Sequence, residues 1–297
     1  MKKDLFSIGG FVVHGYGLMI GIGFLIALAV GIYRAKKMKL NDEALLDMAI
    51  IAIVTGFLGA KVLYIITEFP AFLKDPLSVI GSSGFVVYGG IISGALCCYI
   101  YCRVKKLVFM EYFDLIMPEV AIAQGFGRIG CFLAGCCYGK ETHSHIGVVF
   151  PTDSMAPSGV KLIPTQLFSA AGDILIAAIL IFVAYKFSYS AVAARNWSGE
   201  DDDQNVDTQE NTKKELTDKH LRPGDIGCIY MLLYGIGRFV IEFFRNDERG
   251  AVGILSTSQF ISFFIVAFGV TLMVYNHLHK EVIKNKEKDQ AKKNSEI

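Results

Sequence analysis

Tyr16–Tyr33 reads YGLMIGIGFLIALAVGIY, an apolar run with no charged side chain, and Arg34-Ala35-Lys36-Lys37 follows directly. A bilayer core about 30 Å thick calls for about 20 predominantly apolar helical residues. Basic residues gather on the cytoplasmic side of such helices. The run therefore reads as a transmembrane helix whose C-terminal end lies in the cytoplasm. No short basic, apolar and small-residue leader precedes it, so the first span is expected to remain as an anchor.

Working outward, the same reading gives further spans at Ala44–Thr67, Gly84–Tyr101, Phe113–Cys136, Gln166–Phe187, Asp225–Phe244 and Thr257–His277. The expected fold class is an all-α integral membrane protein, a polytopic bundle of about seven transmembrane helices with a small extracytoplasmic lobe. Composition agrees: 53% of residues are hydrophobic and 19% charged, against about 25% charged in soluble chains. A net charge of +1 gives no broad basic field, which argues against nucleic acid as a partner. Residues 1–187 hold helices one to five with their outer loops. Residues 188–224, including Glu200-Asp201-Asp202-Asp203, form a polar cytoplasmic linker expected to be disordered. Residues 225–279 hold helices six and seven, and 280–297 form a charged cytoplasmic tail that continues the last helix. No internal repeat is evident, which argues against an inverted-repeat transporter.

Orientation follows from the connections. Arg34, Lys36, Lys37 and Lys39 share one side with Arg103, Lys105 and Lys106, with the basic residues of the linker and with those of the tail. The other side has only Lys2, Lys3, Lys74, Lys140, Lys161, Arg245 and Arg249. The expected arrangement has the N-terminus outside and the C-terminus cytoplasmic, with Lys2 and Lys3 dissenting. Outside, 68–84 with Pro70 and Pro76 reads as a short interfacial element. The stretch 138–165 with Pro151, Pro157 and Pro164 reads as an exterior loop or lobe.

Charges within spans mark function, because each costs about 2.5–3.5 kcal/mol to insert. Lys61, Arg128, Arg238 and Glu242 are such charges. Arg128 lies among Gly125, Gly127 and Gly130, where small residues let a backbone or a ligand approach, and its planar fork suits a phosphate. A structural arginine–carboxylate pair in a glycine-lined helix contact reads equally well. Arg238, Glu242 and Arg245 share one helical face; two arginines to one glutamate leave an excess cation that fits a phospholipid headgroup. His14 and Tyr16 open the first span, and Tyr88-Gly89-Gly90 opens the third. His14 is a candidate proton acceptor and Tyr88 a candidate hydroxyl donor, although interfacial anchoring is the ordinary role of both tyrosines. The seven cysteines, Cys97, Cys98, Cys102, Cys131, Cys136, Cys137 and Cys228, are odd in number and lie within or at the rims of apolar segments, a poor disulfide framework. They read as small packing residues. Cys131, Cys136 and Cys137 lack C-x-x-C units, so no metal is expected, and no cofactor either.

These pieces, in this order, resemble the bacterial prolipoprotein diacylglyceryl transferases. The anchors are FSIGGFVVHGYGLM from Phe6, FPAFLKDPL from Phe69, YGGIISG from Tyr88, GRIGCFLAGCCYG from Gly127, PTQL from Pro164 and YGIGRFVIEFFR from Tyr234. They span the chain from Phe6 to about Tyr275. The resemblance implies a bacterial cell-membrane enzyme that transfers the diacylglyceryl group of phosphatidylglycerol to the lipobox cysteine thiol of prolipoprotein signal peptides, forming a thioether and releasing glycerol phosphate. It implies Arg128 as the lipid-binding arginine, Arg238 as an essential arginine, and His14 and Tyr16 as the first-span motif. It places Gly89, Gly90, Gly139, Glu242 and Arg245 against substrate, with Tyr88 among the catalytic groups. The chain departs from the family pattern at four places: Tyr88 stands for a histidine, Cys131 for an asparagine, Cys136 for a glutamate and Ile163 for a histidine. The phosphate-binding half is thus retained and the acid–base half altered, which leaves open a divergent transferase with another acceptor. A non-enzymatic lipid-binding or transport protein on the same scaffold is the reading from a different class.

Overall fold

The computed structural model describes residues 4–8, 11–152, 154–188, 221–246 and 251–295. A short hairpin, β1 (Asp4–Ile8) with β2 (Phe11–His14), leads into α1 (Gly15–Lys37) and α2 (Asp42–Thr67). Two short helices follow, α3 (Phe69–Lys74) and α4 (Pro76–Gly81), then α5 (Val87–Val104) and α6 (Phe109–Ala134). After the hairpin of β3 (Val148–Val149) and β4 (Lys161–Leu162) come α7 (Thr165–Val183) with a π turn, then α8 (Asp225–Glu242). A last hairpin, β5 (Ala251–Val252) with β6 (Leu255–Ser256), precedes α9 (Thr257–Ser295). The chain is mostly helical, and among the described residues the all-α expectation is modified by these three small hairpins. The linker expected to be disordered falls largely outside the described residues.

Among the described residues, five helices are long and apolar enough to cross a membrane: Gly15–Lys37, Asp42–Thr67, Val87–Val104, Thr165–Phe187 and Thr257–Leu278. The fourth and sixth expected spans form as α6 and α8. They carry Glu111, Asp114, Glu119 and Arg128, and Asp225, Arg238 and Glu242, respectively. Such helices place their charges against protein partners rather than lipid.

The chain divides into two compact units, Met1–Val30 with Phe113–Ile297, and Gly31–Tyr112. In the second unit, α2 and α5 run antiparallel through a seam of small residues. A Cβ on Gly90 would meet the Gly56 carbonyl at 2.7 Å, and one on Gly59 would meet the Gly89 carbonyl at 2.6 Å. Ser93 Oγ donates to the Thr55 carbonyl at 2.7 Å across the same seam. Lys61, a charge in a span, is satisfied: Nζ donates to the Ser82 carbonyl at 2.7 Å and lies 5.0 Å from the centre of the Phe85 ring. Pro70 and Pro76 sit in the first turns of α3 and α4, where the missing N–H costs nothing.

In the first unit, Ala121, Ala177, Leu180, Ile226, Cys228, Tyr230 and Met231 form the buried core between α6, α7 and α8. The start of α8 is fixed from outside its own sequence. Gly224 has φ of +101°, a left-handed conformation that favours glycine. Buried Asp114 of α6 accepts from the amides of Gly224 at 2.7 Å and Gly227 at 2.9 Å. A carboxylate on these amides also suits the positive end of the helix dipole. Phe150, Ala156 and Leu162 pack with Phe132, Tyr138 and Val160 into a small separate core after α6.

Candidate functional site

The polar residues of the first unit converge around Arg128 of α6. Its guanidinium lies within electrostatic reach of Tyr234, Cys131, Asp173 and Cys137, and Arg238 is near enough to feel its charge. The small neighbours of Arg128 divide in purpose. Gly125 packs on α7, where a Cβ would lie 2.9 Å from Ile174 Cγ1, and Gly130 packs on Tyr16 of α1 at 3.1 Å. Gly127 and Gly237, next to the two arginines in sequence, meet nothing within 4 Å. Gly125 and Gly130 therefore draw α6 close to its neighbours.

Arg238 Nη1 and Glu242 Oε2 are 2.7 Å apart, with the two side chains 11% and 8% exposed. The contact is an ion pair without hydrogen-bond alignment. Arg245 Nε lies 3.8 Å from the same oxygen, and Arg238 Nη2 donates to Ser258 Oγ at 2.7 Å. One carboxylate thus serves two cations, as the spacing on α8 predicts. Asp173, buried in α7, stands within reach of both Arg128 and Arg238. It is absent from the expected site, although a lone carboxylate inside an apolar span is itself a signal of function.

The turn after α6 brings together residues that the sequence reading treats as packing. Cys131, Cys136 and Cys137 place their sulfur atoms within 4.8 Å of one another. Gly135 at φ +73° and Cys137 at φ +64° fold the chain back. Gln166 Nε2 donates to the Cys136 carbonyl at 2.7 Å and Thr165 Oγ1 to the Cys137 carbonyl at 2.8 Å. Both donors are buried. Hydrogen bonds from the Cys131 and Cys136 thiols, together with the Arg245 guanidinium, hold the Cys137 thiol below its ordinary pKa. Tyr16, at the start of α1, lies within reach of all three cysteines and of Arg128.

Gly139, expected against substrate, is enclosed: a Cβ there would lie 2.7 Å from the Phe244 carbonyl and 2.7 Å from Thr165 Cγ2. It bridges to Arg245 and so ties the cysteine turn to the end of α8. His14 ends β2 opposite Asp4 and is exposed. Tyr88, Gly89 and Gly90 belong to the second unit. There Gly89 and Gly90 form the α2–α5 seam, and Tyr88 is 43% exposed at the start of α5.

The family model of prolipoprotein diacylglyceryl transferase matches residues 3–196 and 211–275. The chain is 41% identical over 280 residues to the phosphatidylglycerol–prolipoprotein diacylglyceryl transferase 2 of Clostridium perfringens, covering 94% of this chain and 96% of the relative. It is 40% identical over 283 residues to the corresponding transferase of Clostridium tetani, covering 95% and 100%. With that of Finegoldia magna it shares 30% identity over 290 residues, covering 97% and 100%.

Proposed function

The chain belongs to the prolipoprotein diacylglyceryl transferase family, and we propose that the arginine cluster of its first unit is where the family's reaction takes place. The protein is a multi-pass membrane transferase that moves the diacylglyceryl group of phosphatidylglycerol onto prolipoproteins. The observation that carries the site is the meeting of Arg128, Arg238 and Arg245 around Glu242 and Asp173, a cluster rich in guanidinium groups that suits a phosphodiester.

In this reading Arg128 and Arg238 hold the phosphate and stabilise the charge that gathers on glycerol phosphate as it leaves, in a site where water is scarce. Glu242 aligns Arg238 and Arg245. The nucleophile is the lipobox cysteine thiol of the incoming signal peptide, so the enzyme supplies alignment and proton removal. Tyr16 offers its phenol group to substrate, His14 remains a candidate proton acceptor, and Tyr88, on the second unit, remains a candidate hydroxyl donor. Helices α6 and α8 complete seven membrane-embedded helices, with the N-terminus outside, the tail cytoplasmic and the small core around Phe150 an extracytoplasmic lobe. The test is reconstitution of the purified full chain with phosphatidylglycerol vesicles and a lipobox peptide. Thioether formation with release of glycerol phosphate is expected. Binding of phosphatidylglycerol without transfer to any cysteine peptide would refute the reading in favour of a lipid-binding protein.

A further inference from the structure

We propose that Cys131, Cys136 and Cys137 form a three-thiolate site for a thiophilic divalent cation, Zn2+, whose open fourth position takes the acceptor cysteine thiol. The acceptor half of this inference rests on the proposed function; the metal site itself does not.

The geometry of the turn carries the argument. Cysteines that serve packing lie among aliphatic groups, as Cys228 does in the α7–α8 core. The three thiols at and beyond the end of α6 face one another and polar neighbours instead, with Arg245 against Cys137 and with Arg128 and Tyr16 close by. Three sulfurs bound to Zn2+ at about 2.3 Å in a tetrahedron stand roughly 3.8 Å apart. The observed limit of 4.8 Å leaves a closure of about 1 Å at most, within reach of χ rotations. The backbone is already held for this. Cys136 donates to the Cys131 carbonyl at 3.1 Å, while Thr165 and Gln166, 0% and 1% exposed, take the carbonyls of Cys137 and Cys136. The sulfurs are held only by weak thiol contacts, such as the 3.7 Å bond from Cys136 Sγ to the Cys131 carbonyl, which a metal–sulfur bond would replace. Three thiolates on Zn2+ carry one net negative charge, which sits beside the Arg245 guanidinium against Cys137.

Three protein ligands with one open position is the arrangement of a reactive rather than a structural zinc. A thiol that enters the fourth position is deprotonated on binding and its proton passes to solvent. The metal-held sulfur then forms a bond to the terminal glycerol carbon of the lipid as the carbon–oxygen bond to phosphate breaks. The electron pair leaves on glycerol phosphate, beside Arg128 and Arg238. The thioether product has lost its negative charge, binds the metal weakly and departs.

The test uses the reduced full chain in detergent with Co2+ as the spectroscopic probe. One equivalent should bind with thiolate-to-cobalt charge-transfer absorption and tetrahedral d–d bands, and Zn2+ should displace it. Cys131→Ser and Cys137→Ser should each weaken binding at least tenfold, whereas Cys97→Ser should leave it unchanged. A lipobox peptide should shift the d–d bands, and the same peptide with serine in place of cysteine should not. Absence of thiolate absorption, a spectrum indifferent to the cysteine peptide, or undiminished transfer by metal-stripped protein would each overturn the proposal. The spectra need no turnover. The expected spectra in a protein that transfers nothing would therefore uphold the metal site and count against the proposed function alone.

Discussion

Replacing Arg128 with alanine should slow diacylglyceryl transfer by two to three orders of magnitude, and the size of the loss follows from how the charges are shared. Glu242 is committed to Arg238 at 2.7 Å and also approaches Arg245 at 3.8 Å. Asp173 faces Arg128 first and Arg238 second. Arg128 and Arg238 are thus the two cations that the proposed function sets on the leaving phosphate. Loss of one such preorganised donor costs about 2.7–4 kcal/mol, or roughly 10²–10³ in kcat. Lysine at the same place keeps the charge but not the fork. The loss of a charge-assisted hydrogen bond is worth about 1.5–3 kcal/mol, so Arg128→Lys should fall between the parent and alanine. Arg128→Ala also weakens the compensation of buried Asp173, and breaking a buried pair costs about 3–5 kcal/mol of stability. The double variant Arg128→Ala with Asp173→Asn separates the two effects, because neutralising the carboxylate removes the stability loss and leaves the phosphate without its arginine. Initial rates of thioether formation, measured beside the thermal midpoint in detergent, report both. A double variant with a transfer rate within about threefold of the parent would refute the phosphate-clamp reasoning.

Three further outcomes are expected. Asp114→Ala removes the acceptor for the amides of Gly224 and Gly227; at about 1–3 kcal/mol per unsatisfied buried group it should lower the thermal midpoint by several degrees, and an unchanged midpoint would show that α8 needs no cap from α6. At Tyr88, a mild loss of transfer in Tyr88→Phe with no gain in Tyr88→His identifies a hydrogen bond to the lipid, whereas a gain in Tyr88→His with an optimum at lower pH identifies proton removal at this position. A reporter fused after Ser190 should be active in the cytoplasm and one inserted near Ser154 outside it, and the reverse pattern would overturn the orientation.

Helix positions were legible wherever the apolar run and its punctuation agreed. Thr67 ends α2 and Asp225 begins α8 as the sequence reading has them, because Phe69-Pro70 and Pro223-Gly224 mark the boundaries by local chemistry, although the amides that open α8 find their acceptor only in Asp114 of α6. The Arg238–Glu242–Arg245 contacts were legible for a similar reason, since neighbours three and four residues apart on one helix must meet. The packing of Gly89 and Gly90 was not. A glycine admits a ligand or another backbone equally well, and their contact with α2 depends on Gly56 and Gly59 lying opposite on a different helix. Asp173 shows the same limit from the other side: its presence could be read, but its partners on α6 and α8 could not.

The cysteines mark where local reading fails for a different reason. Ligand spacing for metals is usually recognised within one turn of chain, as in C-x-x-C, and Cys131 is separated from Cys136 by a helix end. Their convergence depends on Gly135 and Cys137 both adopting positive φ. A non-glycine residue there is uncommon and costs of order 1 kcal/mol or more. Nothing in the sequence of the turn announces that conformation at Cys137. It is held by Thr165 and Gln166, whose side chains take the Cys137 and Cys136 carbonyls, and by Gly139, which fits between Thr165 and Phe244 because it has no side chain. The motifs PTQL and GRIGCFLAGCCYG are therefore one structural device, in which the first turn of α7 fixes the backbone and leaves three sulfurs beside Arg128 and Arg245. Strain retained at a turn and supported by buried hydrogen bonds is the pattern expected where geometry serves chemistry rather than stability.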